Sequence, residues 1–245
     1  ARMVAAQLER FGIIIDDSAG QSLKTCPAGV YLRLVAEVAS SAAAPAPLLA
    51  LLRHPLAAAG MEPAECRRLS RVLEKEILRG IRTEEGLAAL YRAAQRVHGR
   101  LGHLLSGMAE RMEPLAALFA SRRPVPLRDL LTAHLAFAEW LASTDILLGG
   151  ERLWAKESGI RLARWAGGLL EQSDVLDDID PHVYPGVFDT LLGQESYWPN
   201  QGQHPRLHIL SPIEARLQQF DRVILGELNE GVWPSSPAAD PWMSR

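Results

Sequence analysis

Cysteine and aromatic residues are scarce in this 245-residue chain. Its two cysteines, Cys26 and Cys66, lie far apart and form no C-x-x-C pair. Such a pair cannot build a disulfide framework or a four-cysteine zinc site, and it fits a reduced, cytosolic compartment. Aromatic residues make up only 6% of the chain, and Ala and Leu supply much of the apolar content. This composition favours helices and argues against an all-β sandwich or barrel.

An excess of positive charge is also missing. The chain carries 26 Lys and Arg against 29 Asp and Glu, for a net charge of −3. No overall basic field is therefore present to attract nucleic acid, and any such contact must come from local groups of cations. Arg and Glu also interrupt every Ala/Leu stretch, so we expect no membrane-spanning segment.

The common catalytic and metal-binding motifs do not occur in the sequence. It contains no phosphate-binding loop with a Gly-Lys pair, no H-E-x-x-H and no dinucleotide Gly fingerprint. His98 and His103 would point to different sides of a helix, and His204 and His208 lie too far apart on an extended segment. The aspartates at 174–180 lack the glycine and closing Glu of a calcium loop. We therefore predict no catalytic residue, no metal site and no enzymatic activity for this stretch alone.

The hydrophobic pattern predicts a mainly α protein with a small α/β part. Helical periodicity runs from about residue 28 to 195. A β-branched run at 13–15 predicts one short strand, whereas 206–210 and 221–226 predict two more, with a short helix at 213–219 between them. Strands at both ends around a helical block are typical of a helical insertion into a sheet domain.

This pattern divides the chain into three parts. The two ends of the chain supply the sheet part, and the helical block lies between them as an insertion. The tail after about residue 235 contains two prolines and no apolar period, so we expect it to be flexible or docked on a neighbouring molecule. We also expect the chain to belong to a longer protein.

Two rows of basic residues are candidates for nucleic-acid contact. The first would lie within about 80° of helix circumference and consists of Arg68, Arg71, Lys75, Arg79 and Arg82. The second consists of Arg92, Arg96 and Arg100. Arginine rows can follow a phosphate backbone. The alternative is a solvated face in which Glu65, Glu74 and Glu76 pair with these cations, and both interpretations stay open.

The most specific sequence pattern lies at residues 206–234. Two predicted strands flank a polar helix, and the second strand is followed by Asn-Glu-Gly-x-Trp-Pro. This order resembles the second motor domain of superfamily I helicases of the UvrD/RecB type, where the strand is followed by Gly-Leu-x-Glu-Gly-x-Phe-Pro. The motif positions in this chain are Leu228, Asn229, Glu230, Gly231, Trp233 and Pro234.

The loop before the second strand departs from that helicase pattern. Ile213 stands at the family's His position, Arg216 at its Lys position and Leu217 at its Gly position. A loop that approaches phosphate closely needs that glycine, so the departure predicts an inactivated motor. This degenerate form, with Glu214 beside it, resembles AddB-type subunits of bacterial AddAB helicase–nucleases, which repair double-strand breaks.

The resemblance implies a specific architecture and function. Residues 1–30 and 203–245 would form one RecA-like half-domain, and residues 31–202 a helical subdomain inserted into it. The loop with Glu214, Arg216 and Gln218, and the turn at 229–233, would lie where active relatives meet nucleotide or DNA. The implied function is a DNA-binding, scaffolding part of a break-repair helicase–nuclease subunit.

The resemblance also implies partners and cofactors. DNA and an AddA-like helicase–nuclease subunit are the expected partners, in the cytoplasm and without a membrane. The family's ATP-binding first motor domain and its iron–sulfur cysteines have no counterpart here, so no cofactor is expected in this stretch. The rival interpretation is a helical protein-interaction module that docks a partner subunit without touching DNA.

Overall fold

The computed structural model describes residues 2–15, 20–79, 86–175, 177–197, 204, 206–226, 228, 229 and 231. The protein is mainly helical, which confirms the prediction at that level. The α-helices of the described residues are α1 (Arg2–Glu9), α2 (Pro27–Ser40), α3 (Pro45–Arg53), α4 (Pro63–Leu73), α5 (Leu87–Val97), α6 (Gly99–Phe119), α7 (Leu127–Ala142), α8 (Gly149–Leu153), α9 (Lys156–Gln172) and α10 (Tyr184–Gly193). Short 3₁₀ turns occupy Leu23–Thr25, Ser173–Val175 and Pro181–Val183.

Proline sets the start of three of these helices. Pro27, Pro45 and Pro63 each occupy the first helical position of α2, α3 and α4. Proline is favoured there because the first helical N–H has no intrahelical acceptor and the fixed φ already suits a helix. Only a short turn at residues 41–44 therefore separates α2 from α3.

The core forms around α2, which contacts α3, α6, α7, α9 and α10. Its inward face is fully buried, with Tyr31, Leu32 and Val35 at 0% exposure. Helix α6 packs between α5 and α7 and buries Leu101, Leu105 and Met108. Each buried Leu or Val contributes roughly 1.5–3 kcal/mol relative to an exposed position, so the packing of the apolar faces holds the bundle together.

One polar group lies at the centre of this core. The Nδ1 atom of His134 on α7 accepts a hydrogen bond from the hydroxyl of Tyr184 (2.7 Å), and its Nε2–H donates to the carbonyl of Leu32 (2.9 Å). Burial lowers the pKa of His134 to about 4, so the ring is neutral and satisfied on both sides. The pair joins α2, α7 and α10, and its role is structural.

Two contacts fix the short helix α8 against its neighbours. A Cβ atom at Gly149 would lie 1.6 Å from the backbone oxygen of Glu139, so only glycine allows α8 to approach α7 this closely. The guanidinium of Arg152 donates to the carbonyls of Pro55 and Leu56 at 3.1 and 3.0 Å, and also to the carbonyl of Ala142. Arg152 thus joins the turn after α3 to the end of α7.

The predicted strands at the two chain ends are wrong in the described structure. Residues 13–15 and 221–226 form no strand, residues 206–210 contain an isolated β-bridge at Ile209 but no strand, and 213–219 forms turns rather than a helix. An apolar β-branched run forms a ladder only when another strand supplies backbone hydrogen bonds, and residues 221–226 are exposed along their whole length.

The sheet in the described residues is instead a two-stranded antiparallel pair. Strand β1 (Gln21–Ser22) pairs with β2 (Ser196–Tyr197), with Gln21 opposite Tyr197 and Ser22 opposite Ser196. This pair joins the start of the helical block to its end.

Some of the predicted site residues lie outside the described residues: Arg82, Glu230, Trp233 and the tail after residue 235. No helix among the described residues is long and apolar enough to cross a membrane.

Candidate nucleic-acid interface

The first predicted basic row is partly neutralised by its own helix. Arg68 donates two hydrogen bonds of 2.7 Å to the carboxylate of Glu65, and Arg100 on α6 donates a third at 3.3 Å. These two cations, with Arg68 first, lower the pKa of Glu65 to about 2. The charges of Arg68 and Arg100 are therefore largely committed to this carboxylate, as the solvated-face alternative requires.

The helix geometry then changes within the row. Helix α4 continues into a π-helical turn, Glu74–Leu78, in which the N–H of Arg79 donates to the carbonyl of Glu74 (3.2 Å). A π turn adds a residue to the helical turn, so Arg79 is displaced from the α-helical row. The Glu74 carboxylate pairs with Arg53 at 2.5 Å and Arg79 at 3.7 Å. Arg71 and Lys75 are exposed and form no ion pair with any described residue.

The second predicted row does not lie on one helix. Arg92 and Arg96 are on α5, which ends at Val97, whereas Arg100 belongs to α6. His98 stands between the two helices with extended backbone, and its Nδ1 accepts from the N–H of Leu101 (3.4 Å). The i, i+4, i+8 spacing is therefore interrupted, and His98 is a capping residue rather than a ligand.

The predicted helicase-type loop forms a single ordered turn. The N–H of Ser211 donates to the Glu214 carboxylate (2.8 Å), and the N–H of Glu214 donates to the Ser211 hydroxyl (3.3 Å). This reciprocal pair is a capping box. Gln218 Nε2 donates to the carbonyl of Glu214 (2.9 Å), and the Arg216 side chain is exposed. The turn thus brings together Glu214, Arg216 and Gln218.

Leu217 ends this turn in an unusual backbone conformation. Its φ is +64°, in the left-handed region, and its side chain is fully exposed. This region is unfavourable for a leucine by roughly 1–2 kcal/mol, whereas glycine adopts it readily. Leu217 is also the residue at the glycine position of the helicase pattern. Gly231 in the downstream motif has φ +79°, and Asn229 is exposed.

A third group of cations, on α9, was missed at the sequence level. Helix α9 begins at Lys156, whose φ is +60°. A Cβ atom at Gly159 would lie 2.6 Å from the carbonyl carbon of Trp154, so glycine lets α9 start directly against the end of α8. The indole N–H of Trp154 donates to Glu139 on α7 (2.6 Å). This junction fixes the orientation in which α9 packs on the bundle.

The outer face of α9 and strand β2 enclose a cleft of about 520 Å³. Its lining residues are Lys156, Glu157, Ile160, Arg161, Arg164 and Tyr197. The three cations are exposed and form no ion pair with any residue in the described part of the chain. Ile160 is 51% exposed between them, and the hydroxyl of Tyr197 donates to Gln21 on β1 (3.0 Å). The cleft therefore combines unpaired positive charge with an apolar floor.

The sequence signal for this cleft was hidden by a helix boundary. The helical pattern of residues 28–195 shows no boundary here, but α8 ends at Leu153 and α9 runs from Lys156 to Gln172. Lys156 and Arg161 lie about 140° apart around a helix, with Arg164 between them, so their spacing alone does not indicate a row of cations. Tyr197 comes from a strand that was not predicted at all.

Neither cysteine has the environment of a reactive thiol. Burial raises the pKa of Cys66 to about 11 and also raises that of Cys26. Cys26 accepts from the N–H of Gly29 at the start of α2 (3.3 Å). Among the residues that the structure describes, no cluster of three or more His, Cys, Asp or Glu could hold a metal ion.

An apolar loop is exposed between α7 and α8. The hydroxyl of Thr144 accepts from the N–H groups of Ile146 (3.3 Å) and Leu147 (2.9 Å), and the N–H of Thr144 donates to the carbonyl of Leu147 (2.9 Å). This turn presents Ile146, which is 83% exposed, and Leu148 to solvent. Such a turn is a candidate contact for a protein partner.

Comparison with known proteins gives distant bacterial relatives. An uncharacterized protein of Rickettsia felis is 28% identical over 122 residues, which are 50% of this chain and 13% of that protein. An uncharacterized protein of Rickettsia conorii is 30% identical over 93 residues, which are 38% of this chain and 11% of that protein. The matched stretch thus spans about an eighth of the length of these relatives. No protein-family model and no solved structure matches the chain.

Proposed function

We propose that this chain is a DNA-engaging, scaffolding part of a double-strand-break repair helicase–nuclease subunit of the AddB type. In this proposal the two ends of the chain contribute to one RecA-like half-domain, and the helical block is inserted between them. The motor motif is inactivated, so ATP hydrolysis and DNA cleavage are not functions of this stretch. The proposed setting is the cytoplasm, with DNA and an AddA-like subunit as partners.

The observation that carries the proposal is the pairing of β1 with β2. Gln21–Ser22 precedes the helical block and Ser196–Tyr197 follows it, and the two strands lie side by side. An inserted block must leave and re-enter its parent domain at neighbouring points. The pairing supports this arrangement because it holds the two connections of the block together.

The loop before residue 221 gives the proposal a second support. Arg216 is exposed beside Leu217, and the backbone of Leu217 has the left-handed φ that glycine would favour. A turn of this shape is compatible with the helicase-type loop whose Lys and Gly positions these residues occupy. The shape is present while the glycine is absent, in agreement with a scaffold rather than a motor.

The exposed apolar run after this loop fits the same proposal. Val223, Ile224 and Leu225 are all exposed, Ile224 to 87%. Three consecutive large apolar residues are unfavourable in water, and a neighbouring strand in a larger assembly would cover them. In the proposal, these residues become a strand of the RecA-like sheet.

DNA binding by the purified chain tests the proposal. We expect the affinity for a DNA duplex with a single-stranded end to fall linearly with salt concentration on logarithmic axes, because phosphate contacts release counterions. Arg216→Glu should weaken binding, whereas Arg123→Glu, the same charge reversal in the α6–α7 loop, should leave it unchanged. Absence of salt-dependent binding would refute the proposal.

The rival function, a protein-docking module, is favoured by one specific observation. Ile146 and Leu148 are exposed on a hydrogen-bonded turn, where a partner subunit could bury them. An apolar contact of this kind responds weakly to salt. If Ile146→Ser with Leu148→Ser abolishes capture of an AddA-type subunit, and DNA binding is absent, the docking function replaces the DNA function.

A further inference from the structure

We propose that the cleft between α9 and β2 binds the backbone of single-stranded DNA. This inference rests on the proposed function and names the surface that engages DNA. The cleft is distinct from the loop at Arg216 and from the basic row on α4. It is formed by Lys156, Ile160, Arg161 and Arg164 of α9 with Tyr197 of β2.

The charge arrangement points to an extended polyanion. Lys156, Arg161 and Arg164 span nine residues of one helix, or roughly 12 Å along its axis. Cations spread over this length suit successive phosphates of a chain better than one compact phosphate group. The side chain before α9, Ala155, supplies no cap for the first-turn N–H groups, so the positive end of the helix dipole adds to the charge of Lys156.

The pairing state of these cations separates them from the other basic groups. Arg68 and Arg100 share Glu65, and Arg53 and Arg79 share Glu74. A phosphate would have to compete with these carboxylates. The cleft does contain Glu157, but Lys156, Arg161 and Arg164 form no ion pair within the described chain. Their charges are available to a ligand without the breaking of an existing salt bridge.

The floor of the cleft favours single strands over duplex. Ile160 is half-exposed between the cations and forms the accessible part of this floor. Tyr197, held by its hydrogen bond to Gln21, is only 9% exposed and backs the cleft from the core side. Single-strand binding grooves combine cations for the backbone with apolar or aromatic surfaces for sugar and base faces. A duplex keeps its bases stacked inside and cannot use such a floor.

The rigidity of α9 makes the cleft a preformed site. Leu162 and Ala166 are buried on the inner face of α9, and Trp165 packs edge-on against Phe188 with ring centroids 5.4 Å apart. Gly159 sets the close contact with Trp154. Because the helix is anchored on this side, the backbone that carries the three cations is already in place, and only their side chains must be ordered on binding.

A triple neutralisation tests the inference. The variant Lys156→Gln, Arg161→Gln, Arg164→Gln is compared with a matched variant, Arg111→Gln, Arg122→Gln, Arg123→Gln, which removes the same charge from exposed cations outside every proposed binding surface. Fluorescence anisotropy with an oligothymidylate of about 16 nucleotides, within the range of single-strand site sizes, measures affinity across salt concentrations. Circular dichroism melting confirms that both variants fold, and the conservative variant Lys156→Arg, Arg161→Lys, Arg164→Lys keeps the charge.

The expected result is a loss confined to the α9 variant. Each single-strand phosphate contact contributes about 0.7 to the salt slope, so this slope should fall by about 2 and affinity by at least about tenfold at low salt. The matched and conservative variants should stay within about twofold of the wild type. If the wild type binds DNA, three results would overturn the inference while the proposed function survives. These are loss of binding by the matched variant alone, equal loss by both variants, and tighter binding of duplex than of the single strand. Absence of any DNA binding by the wild type overturns both.

Discussion

The helical block at 27–193 and the segment at 206–226 use the same kinds of apolar residue in opposite ways. In the block, leucines such as Leu32, Leu51 and Leu141 are completely buried, and the central His134 has partners on both ring nitrogens. In the segment, Ile213, Phe220 and Ile224 are exposed. The difference shows that an apolar pattern marks side chains that are stabilised by burial. Whether they are buried depends on whether a second surface is present to cover them.

The strongest test of this comparison truncates one large apolar side chain in each region. Phe188→Ala on α10 removes a ring buried against His134 and Trp165, and we expect the free energy of unfolding to fall by about 3–5 kcal/mol. Ile224→Ala should change it by less than about 0.5 kcal/mol. Urea denaturation measures both. A loss above about 1 kcal/mol for Ile224→Ala would show that the segment packs on the block.

Acid stability tests the buried histidine of the block. The pKa of His134 is about 4 in the folded protein and near 6.5 when the chain unfolds, so the unfolded state binds the proton first. The stabilising contribution is present above pH 6.5 and is lost as the pH falls towards 4, by about 3 kcal/mol.

The measurement is urea denaturation between pH 7 and pH 4. His134→Gln should flatten the pH dependence. Burial also lowers the pKa of His54 to about 4. The stability of the His134→Gln variant should therefore keep a residual dependence on pH. An unchanged slope in His134→Gln would contradict the neutral, buried state of that ring.

Two glycines give a sharper contrast inside the block itself. Gly149→Ala would place a Cβ atom against the backbone of Glu139, and we expect a loss of roughly 1–3 kcal/mol. Gly168→Ala on α9 meets no atom within 4 Å and should raise stability by about 0.5–1 kcal/mol, because alanine loses less backbone entropy in a helix. Thermal unfolding distinguishes the two, and equal effects would argue against the close contact of α8 with α7.

The smallest expected effect belongs to the exposed segment. Leu217→Gly relieves the left-handed backbone of a non-glycine residue, but the turn does not pack on the helical core. We therefore expect a change below about 0.5 kcal/mol in the free energy of global unfolding. Leu217→Ala is the control that keeps the Cβ atom. A shift as large as that of Gly149→Ala would mean that the turn is coupled to the block.

The helices of the block could be predicted because their own sequences determine them. In α2, apolar residues repeat with helical spacing after Pro27, and in α7 the same spacing runs from Leu127 to Leu141. The break between α8 and α9 could not be predicted. It depends on the close contacts of Gly149 with the backbone of Glu139 and of Gly159 with the backbone of Trp154. Helical periodicity contains no information on such contacts.

The strand predictions were wrong for a related reason. A run such as Val223–Leu225 indicates an extended, buried strand only if a partner strand exists, and periodicity alone does not show one. The basic row on α4 was visible in the sequence, but its ion pairs with Glu65 and Glu74 required the three-dimensional positions of Arg53 and Arg100. The α9 cleft could not be predicted, because it depends on the boundary between α8 and α9 and on strand β2, and the sequence indicated neither.

The guanidinium of Arg152 has a consequence for the order in which the protein folds. It caps carbonyls at Pro55 and Leu56, 97 and 96 positions earlier in the chain, as well as Ala142, 10 positions earlier. A ribosome releases the chain from its N-terminus, so the turn after α3 is synthesised long before the side chain that binds it. Helices α3 and α7 can form beforehand, but the contact between this turn and the end of α7 is completed only after α8 emerges. The native fold of the first half of the block therefore depends on a residue that is made in the second half.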